Sequence, residues 1–124
     1  MVSRAGAIGL MQMMPVTASW HSSLADTLRL GEDDLRDPAK NIRAGTMYFR
    51  YLLERFDGSA IGAIAAYNGG EGRMARWKEN FEPGSNPLVA LELIGPRETR
   101  RYVKKVLDAY SAYVAIAREK ASAE

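Results

Sequence analysis

Apolar side chains recur every three or four residues through most of the chain, the spacing that places them on one face of an α-helix. The clearest helix start is Asp37-Pro38, because an aspartate caps free backbone N–H groups and a proline fits the first helical turn. This helix is predicted to end at Gly58, and Ser59 caps a second helix, which the run Asn68-Gly69-Gly70 ends. No segment alternates as a half-buried strand would, so the pattern predicts an all-α fold.

The remaining predicted elements are shorter or lie near the ends. A short helix runs from Pro87 to Leu93, and a long amphipathic helix follows Gly95-Pro96. Residues 31–37 are predicted to form a polar turn and residues 72–79 a short basic segment. The opening block, residues 3–18, is predicted to form a short helix that ends near Pro15. Its glycines each cost about 0.8–1 kcal/mol in a helix relative to alanine, so they point to unusual backbone angles or a close neighbour.

The composition is that of one globular domain. The chain has 124 residues, 47% hydrophobic and 26% charged, which is enough for one core. We expect a single domain over residues 1–124, with its folded part ending near residue 118 and residues 119–124 frayed. With no cysteine and one histidine, His21, neither disulfides nor a zinc site is expected, and no cofactor is implied.

Charge and hydropathy exclude two classes of partner. The formal net charge of +2 is too small to indicate nucleic acid, and it suits an anionic polymer or an ordinary solvated surface. No run approaches the roughly 18–20 apolar residues of a membrane span. The N-terminal residues do not resemble a signal peptide, so no export signal is expected in this chain.

Three motifs stand out: the opening block, the run Ala66-Tyr67-Asn68-Gly69-Gly70, and the run Glu98-Thr99-Arg100-Arg101-Tyr102. Each alone has a structural interpretation, since asparagine and glycine suit a helix end and a carboxylate suits a first helical turn. Together, in this order and spacing, they resemble the catalytic domain of soluble lytic transglycosylases, bacterial enzymes that cut peptidoglycan. In that family the first motif reads Ser, two residues, Gly-Ala-x-Gly-Leu-Met-Gln, two residues, Pro-x-Thr-Ala, and residues 3–18 match it throughout.

The resemblance covers nearly the whole chain and implies a goose-type lysozyme-like helical domain with a sugar-binding cleft. Amides and hydroxyls can bond to sugar hydroxyls and N-acetyl groups, and tyrosine offers an apolar ring face with a polar tip. Glu98 can position either Tyr102, which lies four residues further along the same helix face, or a sugar hydroxyl. The residues that match glycan-contacting positions of the family are Ser3, Gln12, Met14, Tyr67, Asn68, Glu98 and Tyr102.

The resemblance also implies a residue that this chain does not contain. The family's general acid and base is a glutamate expected about nine residues before Ser3, ahead of Met1, so we assign no catalytic residue and expect an N-terminally truncated domain. General acid–base catalysis is typically worth about 10²–10⁴-fold, so the chain is expected to be weakly active or inactive, and its status as an enzyme is left open. Glu71 is a weak candidate for a substitute, since a solvated loop carboxylate is the commoner case.

The implied reaction cleaves the β-1,4 bond between N-acetylmuramic acid and N-acetylglucosamine and leaves a 1,6-anhydro product. The glycan strand of peptidoglycan is then the partner, and the substrate implies the periplasm or cell surface. One alternative is a non-catalytic glycan-binding module that keeps the cleft without the acid. Another is a self-associating or domain-swapped helical protein, in which a second copy covers an apolar groove under Ile8, Leu10, Met11 and Met13. A monomer in light scattering at all concentrations would argue against this last alternative.

Overall fold

Every regular element in the described part of the chain is an α-helix, and the all-α prediction is confirmed. The computed structural model describes residues 2–9, 11–15, 17, 32–79 and 86–123, and the chain divides into two compact units, residues 1–51 and 52–124. None of the described helices is both long and apolar enough to span a membrane. The helices are α1 (Glu32–Leu35), α2 (Pro38–Arg55), α3 (Ala60–Gly69), α4 (Glu71–Glu79), α5 (Pro87–Glu92) and α6 (Arg97–Ala123). The single domain over residues 1–124 and its end near residue 118 stay predictions.

The starts of α2 and α3 follow the capping signals in the sequence. Asp37 Oδ1 accepts hydrogen bonds from the N–H groups of Ala39, at 2.9 Å, and Lys40, at 3.2 Å, so it caps α2 as predicted. Ser59 Oγ accepts a hydrogen bond from the Gly62 N–H at 3.1 Å and caps α3 in the same way. Both predicted caps are therefore confirmed.

Two segments that were predicted without a helix are helical. The predicted polar turn at residues 31–37 contains α1, and the predicted basic segment at residues 72–79 lies within α4. The first turn of α1 carries three carboxylates, Glu32, Asp33 and Asp34, and α4 begins at Glu71. Negative charge at a helix N-terminus complements the helix dipole, which favours both elements.

The described residues of the opening block from Ser3 to Met14 are not helical, so the prediction of a helix that ends near Pro15 is wrong. The block forms tight turns closed by two isolated antiparallel bridges, Val2 with Ile8 and Ile8 with Met13. Ile8 and Met13 exchange two backbone hydrogen bonds, both 2.9 Å long. Gly9 and Gln12 have φ angles of +77° and +48°, and a right-handed helix excludes positive φ.

Asn41 fastens the opening block to α2. Its side chain is fully buried, and its Nδ2 donates hydrogen bonds to the carbonyl oxygens of Ile8, at 2.7 Å, and Leu35, at 3.0 Å. Its Oδ1 accepts a hydrogen bond from the Met11 N–H at 2.8 Å. Gly9 lies directly against this amide, where a Cβ atom would clash with Nδ2. The close neighbour that the glycines of the block suggested is therefore confirmed at Gly9.

The apolar groove expected under the opening block is absent at two of its four residues. Ile8 and Met13 are each only 2% exposed. They are core residues, so they offer no apolar surface for a second copy to cover. Leu10 lies outside the described residues.

In the second unit, α3 packs against α4 and α6, and α5 packs against α6. The middle of α3, residues 62–66, is buried. The helix ends where Gly70, at a φ of +96°, donates its N–H to the Ala66 carbonyl oxygen at 2.9 Å. Tyr67 and Asn68 therefore lie at the accessible end of an otherwise buried helix.

Candidate functional site

The predicted site residues form two clusters, one in each unit. The first cluster lies in the opening block and consists of Ser3, Gln12 and Met14. The second lies where α3 ends and α6 begins and consists of Tyr67, Asn68, Glu98 and Tyr102. None of the seven residues is buried: Tyr67 and Tyr102 are half-buried and the other five are exposed.

Ser3 closes the first turn of the opening block. Its Oγ accepts a hydrogen bond from the Ala7 N–H at 3.0 Å, and its own N–H donates to the Ala7 carbonyl oxygen at 2.8 Å. The hydroxyl hydrogen has no acceptor within the described residues. Ser3 therefore holds its turn as an acceptor and keeps a donor for a ligand.

Gln12 folds back over the second turn of the block. Its Nε2 donates a hydrogen bond to the Gly9 carbonyl oxygen at 2.7 Å, which stabilises the positive φ of Gln12. The amide still has its oxygen and a second N–H to offer a ligand. Met14 is 39% exposed and adds a flexible apolar side chain to this cluster.

Asn68 is held in place by a residue that the sequence analysis did not assign to the site. The Thr99 hydroxyl donates a hydrogen bond to Asn68 Oδ1 at 2.9 Å. Thr99 is 3% exposed, whereas Asn68 is exposed. This bond joins the end of α3 to the first turn of α6, so the second and third sequence motifs form one structural cluster.

Glu98 and Tyr102 do not pair. Glu98 is exposed in the first turn of α6, and it makes no hydrogen bond or ion pair within the described part of the chain. The expected positioning of Tyr102 by Glu98 is therefore not found. Tyr102 is half-buried, which leaves part of its ring and phenol at the surface.

Stability at high pH is expected to depend on Tyr102. Burial raises the pKa of its phenol above the ordinary value of 10.0. The folded state then keeps the phenol proton to higher pH than the unfolded state does. The contribution of Tyr102 to the free energy of unfolding is therefore fully present below about pH 10 and is lost as the pH rises further. Phenolate absorbance during an alkaline titration should contain a late component that Tyr102→Phe removes. Removal of the same component by Tyr110→Phe, at an exposed position, would contradict the assignment.

Glu71 has a structural partner. It is the first residue of α4, and its Oε1 lies 3.0 Å from Arg55 Nε. It is therefore not the solvated loop carboxylate that was expected as the commoner case. Its place at a helix start and its ion pair account for it without a catalytic role.

The two clusters suit a neutral, polyhydroxylated ligand. They offer two amides, a hydroxyl, two phenols and one carboxylate, and no basic side chain belongs to either cluster. Such groups can donate to and accept from sugar hydroxyls, whereas a phosphate would call for arginine or lysine. Within the described residues, no group of three or more His, Cys, Asp or Glu side chains can hold a metal ion. The single histidine, His21, lies outside them.

The chain is similar to known proteins over most of its length. The transglycosylase SLT domain family matches residues 1–89. A soluble lytic murein transglycosylase of Salmonella typhimurium is 43% identical over 115 residues, covering 90% of this chain and 17% of the relative. The corresponding protein of Escherichia coli K12 is 40% identical over 112 residues, with the same two coverages, 90% and 17%.

Solved structures give the same result. The 70 kDa soluble lytic transglycosylase of Escherichia coli is 38% identical, with a TM-score of 0.83 over 93% of this chain and 19% of that one. An inactive Glu-to-Gln mutant of lytic transglycosylase Slt from Pseudomonas aeruginosa is 37% identical, with a TM-score of 0.79 over 86% of this chain and 17% of that one. The chain thus spans less than a fifth of the length of these relatives. The predicted lysozyme-like helical fold is confirmed.

Proposed function

Because the chain belongs to the transglycosylase SLT family, we propose that its two clusters bind the glycan strand of peptidoglycan. The observation that carries the proposal is a contrast in burial. All seven residues at the family's glycan-contacting positions are exposed or half-buried, while Asn41, which bonds to the opening block, and Thr99, which bonds to Asn68, are buried. The seven side chains are therefore within reach of a ligand.

Six of the seven residues have a polar or aromatic role that their chemistry allows. The amides of Gln12 and Asn68 bond to hydroxyl and acetamido groups of the sugar, and Ser3 donates its hydroxyl hydrogen. The rings of Tyr67 and Tyr102 lie against the apolar face of a sugar. Glu98, which is exposed, accepts a hydrogen bond from a sugar hydroxyl.

The proposed reaction is that of the family. A glutamic acid protonates the glycosidic oxygen between N-acetylmuramic acid and N-acetylglucosamine as the C1–O bond breaks. The resulting carboxylate removes the proton of the muramic acid 6-hydroxyl, whose oxygen bonds to C1 and gives the 1,6-anhydro product without water. In agreement, a Glu-to-Gln mutant of the Pseudomonas aeruginosa relative is described as inactive. Residues 1–124 contain no match to that glutamate, so we expect them to cleave weakly or not at all.

The second candidate function is a glycan-binding module without catalysis. The ion pair between Glu71 and Arg55 favours this second candidate. Glu71 is the carboxylate nearest in sequence to the second motif, and the ion pair gives it a structural role instead of a catalytic one. The two candidates share the same binding clusters and differ only in turnover. Both candidate functions act on peptidoglycan, which implies the periplasm or the cell surface. Self-association stays a prediction and loses the support of Ile8 and Met13, which are buried.

Glycan affinity is the direct test. Isothermal titration with tri-N-acetylchitotriose should show binding that Asn68→Ala and Gln12→Ala each weaken about 10-fold, the equivalent of one well-placed hydrogen bond. Asn86→Ser, which keeps an exposed cap on α5, is the matched control and should bind normally. Bulgecin A, which is bound in a solved complex of the 70 kDa soluble lytic transglycosylase, is a second probe. Unaltered affinity in both alanine variants would count against glycan binding by the two clusters.

A further inference from the structure

The hydrogen bond between Thr99 and Asn68 joins a buried hydroxyl to an exposed amide. Thr99 Oγ1 lies 2.9 Å from Asn68 Oδ1, and Thr99 is 3% exposed. A buried hydroxyl needs a hydrogen-bond partner, and here the partner is the oxygen end of the amide. Asn68 makes no other side-chain hydrogen bond within the described residues.

The two ends of an asparagine amide have the same shape and opposite chemistry. Oδ1 accepts hydrogen bonds, whereas Nδ2 carries two N–H donors. Because Thr99 donates to Oδ1, the two donors of Nδ2 remain for a ligand. Without that bond the side chain would rotate more freely, and a ligand would have to order it on binding.

Gly69 makes room for this contact. It lies within the α-helix α3 and has no positive φ, so the backbone there does not require glycine. A Cβ atom at this position would come within 2.8 Å of Thr99 Oγ1 and 3.1 Å of Thr99 Cγ2. The space left by Gly69 is therefore what lets Thr99 approach the end of α3 and reach its neighbour, Asn68.

We propose that Thr99 is a positioning residue for glycan binding, which holds Asn68 so that its Nδ2 donors face an acceptor oxygen of the sugar. The inference rests on the proposed function, because it needs Asn68 to contact the glycan. Thr99 itself is buried and does not touch the ligand. It acts by reducing the ordering that Asn68 undergoes on binding.

The test is a double-mutant cycle on the affinity for tri-N-acetylchitotriose. Each affinity is measured by a titration monitored by nuclear magnetic resonance. Thr99→Val replaces the hydroxyl with a methyl group of similar size and is expected to weaken binding about 3- to 10-fold. Thr99→Ser keeps the hydroxyl and should bind within about 2-fold of the parent chain. On an Asn68→Ala background, Thr99→Val should have no further effect, because the residue through which it acts is gone.

Asn68→Asp separates the two ends of the amide. An aspartate still accepts the Thr99 hydrogen bond but has no N–H donors, so it should weaken binding as much as Asn68→Ala does. Normal affinity in Asn68→Asp, or in Thr99→Val, would overturn the inference. The inference would also be overturned if Thr99→Val lowered the affinity equally in the parent chain and in the Asn68→Ala background. Such a result would indicate a general structural effect. Absence of binding by the parent chain would instead overturn the proposed function, and this inference with it.

Discussion

Replacing Asn41 with aspartate is expected to destabilise the protein by about 3–5 kcal/mol, although only one nitrogen becomes an oxygen. The Asn41 amide donates to the carbonyl oxygens of Ile8 and Leu35 at 2.7 and 3.0 Å. An ionised carboxylate in that place has no N–H to donate to these two carbonyl oxygens. It would instead bring a buried negative charge next to them. Since small domains are stable by only about 5–15 kcal/mol, this is a large fraction of the total.

The measurement is urea unfolding followed by far-ultraviolet circular dichroism at neutral pH. Asn86→Asp is the matched control, because it makes the same chemical change at an exposed helix cap whose oxygen accepts the Leu88 N–H at 2.9 Å. Aspartate caps a helix about as well as asparagine, so the control should unfold like the parent chain. A loss below about 1 kcal/mol for Asn41→Asp would contradict the assigned role of Asn41.

The same change should also reduce glycan affinity. Asn41 Nδ2 donates to the Ile8 carbonyl oxygen at 2.7 Å, and an aspartate cannot make this bond to the opening block. Loss of the Asn41 amide would release the turn that Gln12 completes by donating to the Gly9 carbonyl oxygen. Stability and binding are thus linked through one buried side chain.

The second large effect concerns catalysis. A fusion that places the family's glutamate-bearing helix ahead of Ser3 is expected to release 1,6-anhydro-muropeptides from purified peptidoglycan about 10²–10⁴ times faster than residues 1–124 alone. The physical reason is that the glutamate supplies the proton for the leaving oxygen and then removes one from the 6-hydroxyl. Mass spectrometry of the soluble products measures both rates.

Two controls make that result specific. The same fusion with glutamine in place of the glutamate keeps the helix and removes the acid, and it should behave like residues 1–124 alone. Far-ultraviolet circular dichroism of all three proteins checks that each is folded. Robust anhydro product from residues 1–124 alone would mean that another group in the chain supplies the acid.

Local signals in the sequence predicted the starts of α2 and α3. Asp37-Pro38 and Ser59 mark their helices through hydrogen bonds that reach only two or three residues along the chain. The signal that ends α3 is equally local, since Gly70, directly after the helix, has the positive φ that glycine tolerates best. Signals of this kind need no tertiary contact to be read.

The opening block could not be predicted in this way. Its apolar spacing is compatible with a helix, but its turns are held by Asn41, which lies about 30 residues further along the chain. Long-range partners of this sort leave little trace in local periodicity.

The site was predicted residue by residue from its motifs, and the residue that supports it was missed. Thr99 stands inside the third motif, next to Glu98, yet nothing in the sequence connects it to Asn68, 31 positions away. A signal was present at Gly69, a glycine in a helix that needs no special backbone angle, and such a glycine indicates close approach of another group.

The central claim is that each of the two clusters, the one in the opening block and the one where α3 ends and α6 begins, binds glycan. Uniformly ¹⁵N-labelled chain, titrated with tri-N-acetylchitotriose, tests it through the side-chain amide resonances of Gln12 and Asn68. Both resonances are predicted to shift in a saturable way along the titration. The claim is contradicted if the chain binds the sugar while either amide resonance stays unchanged.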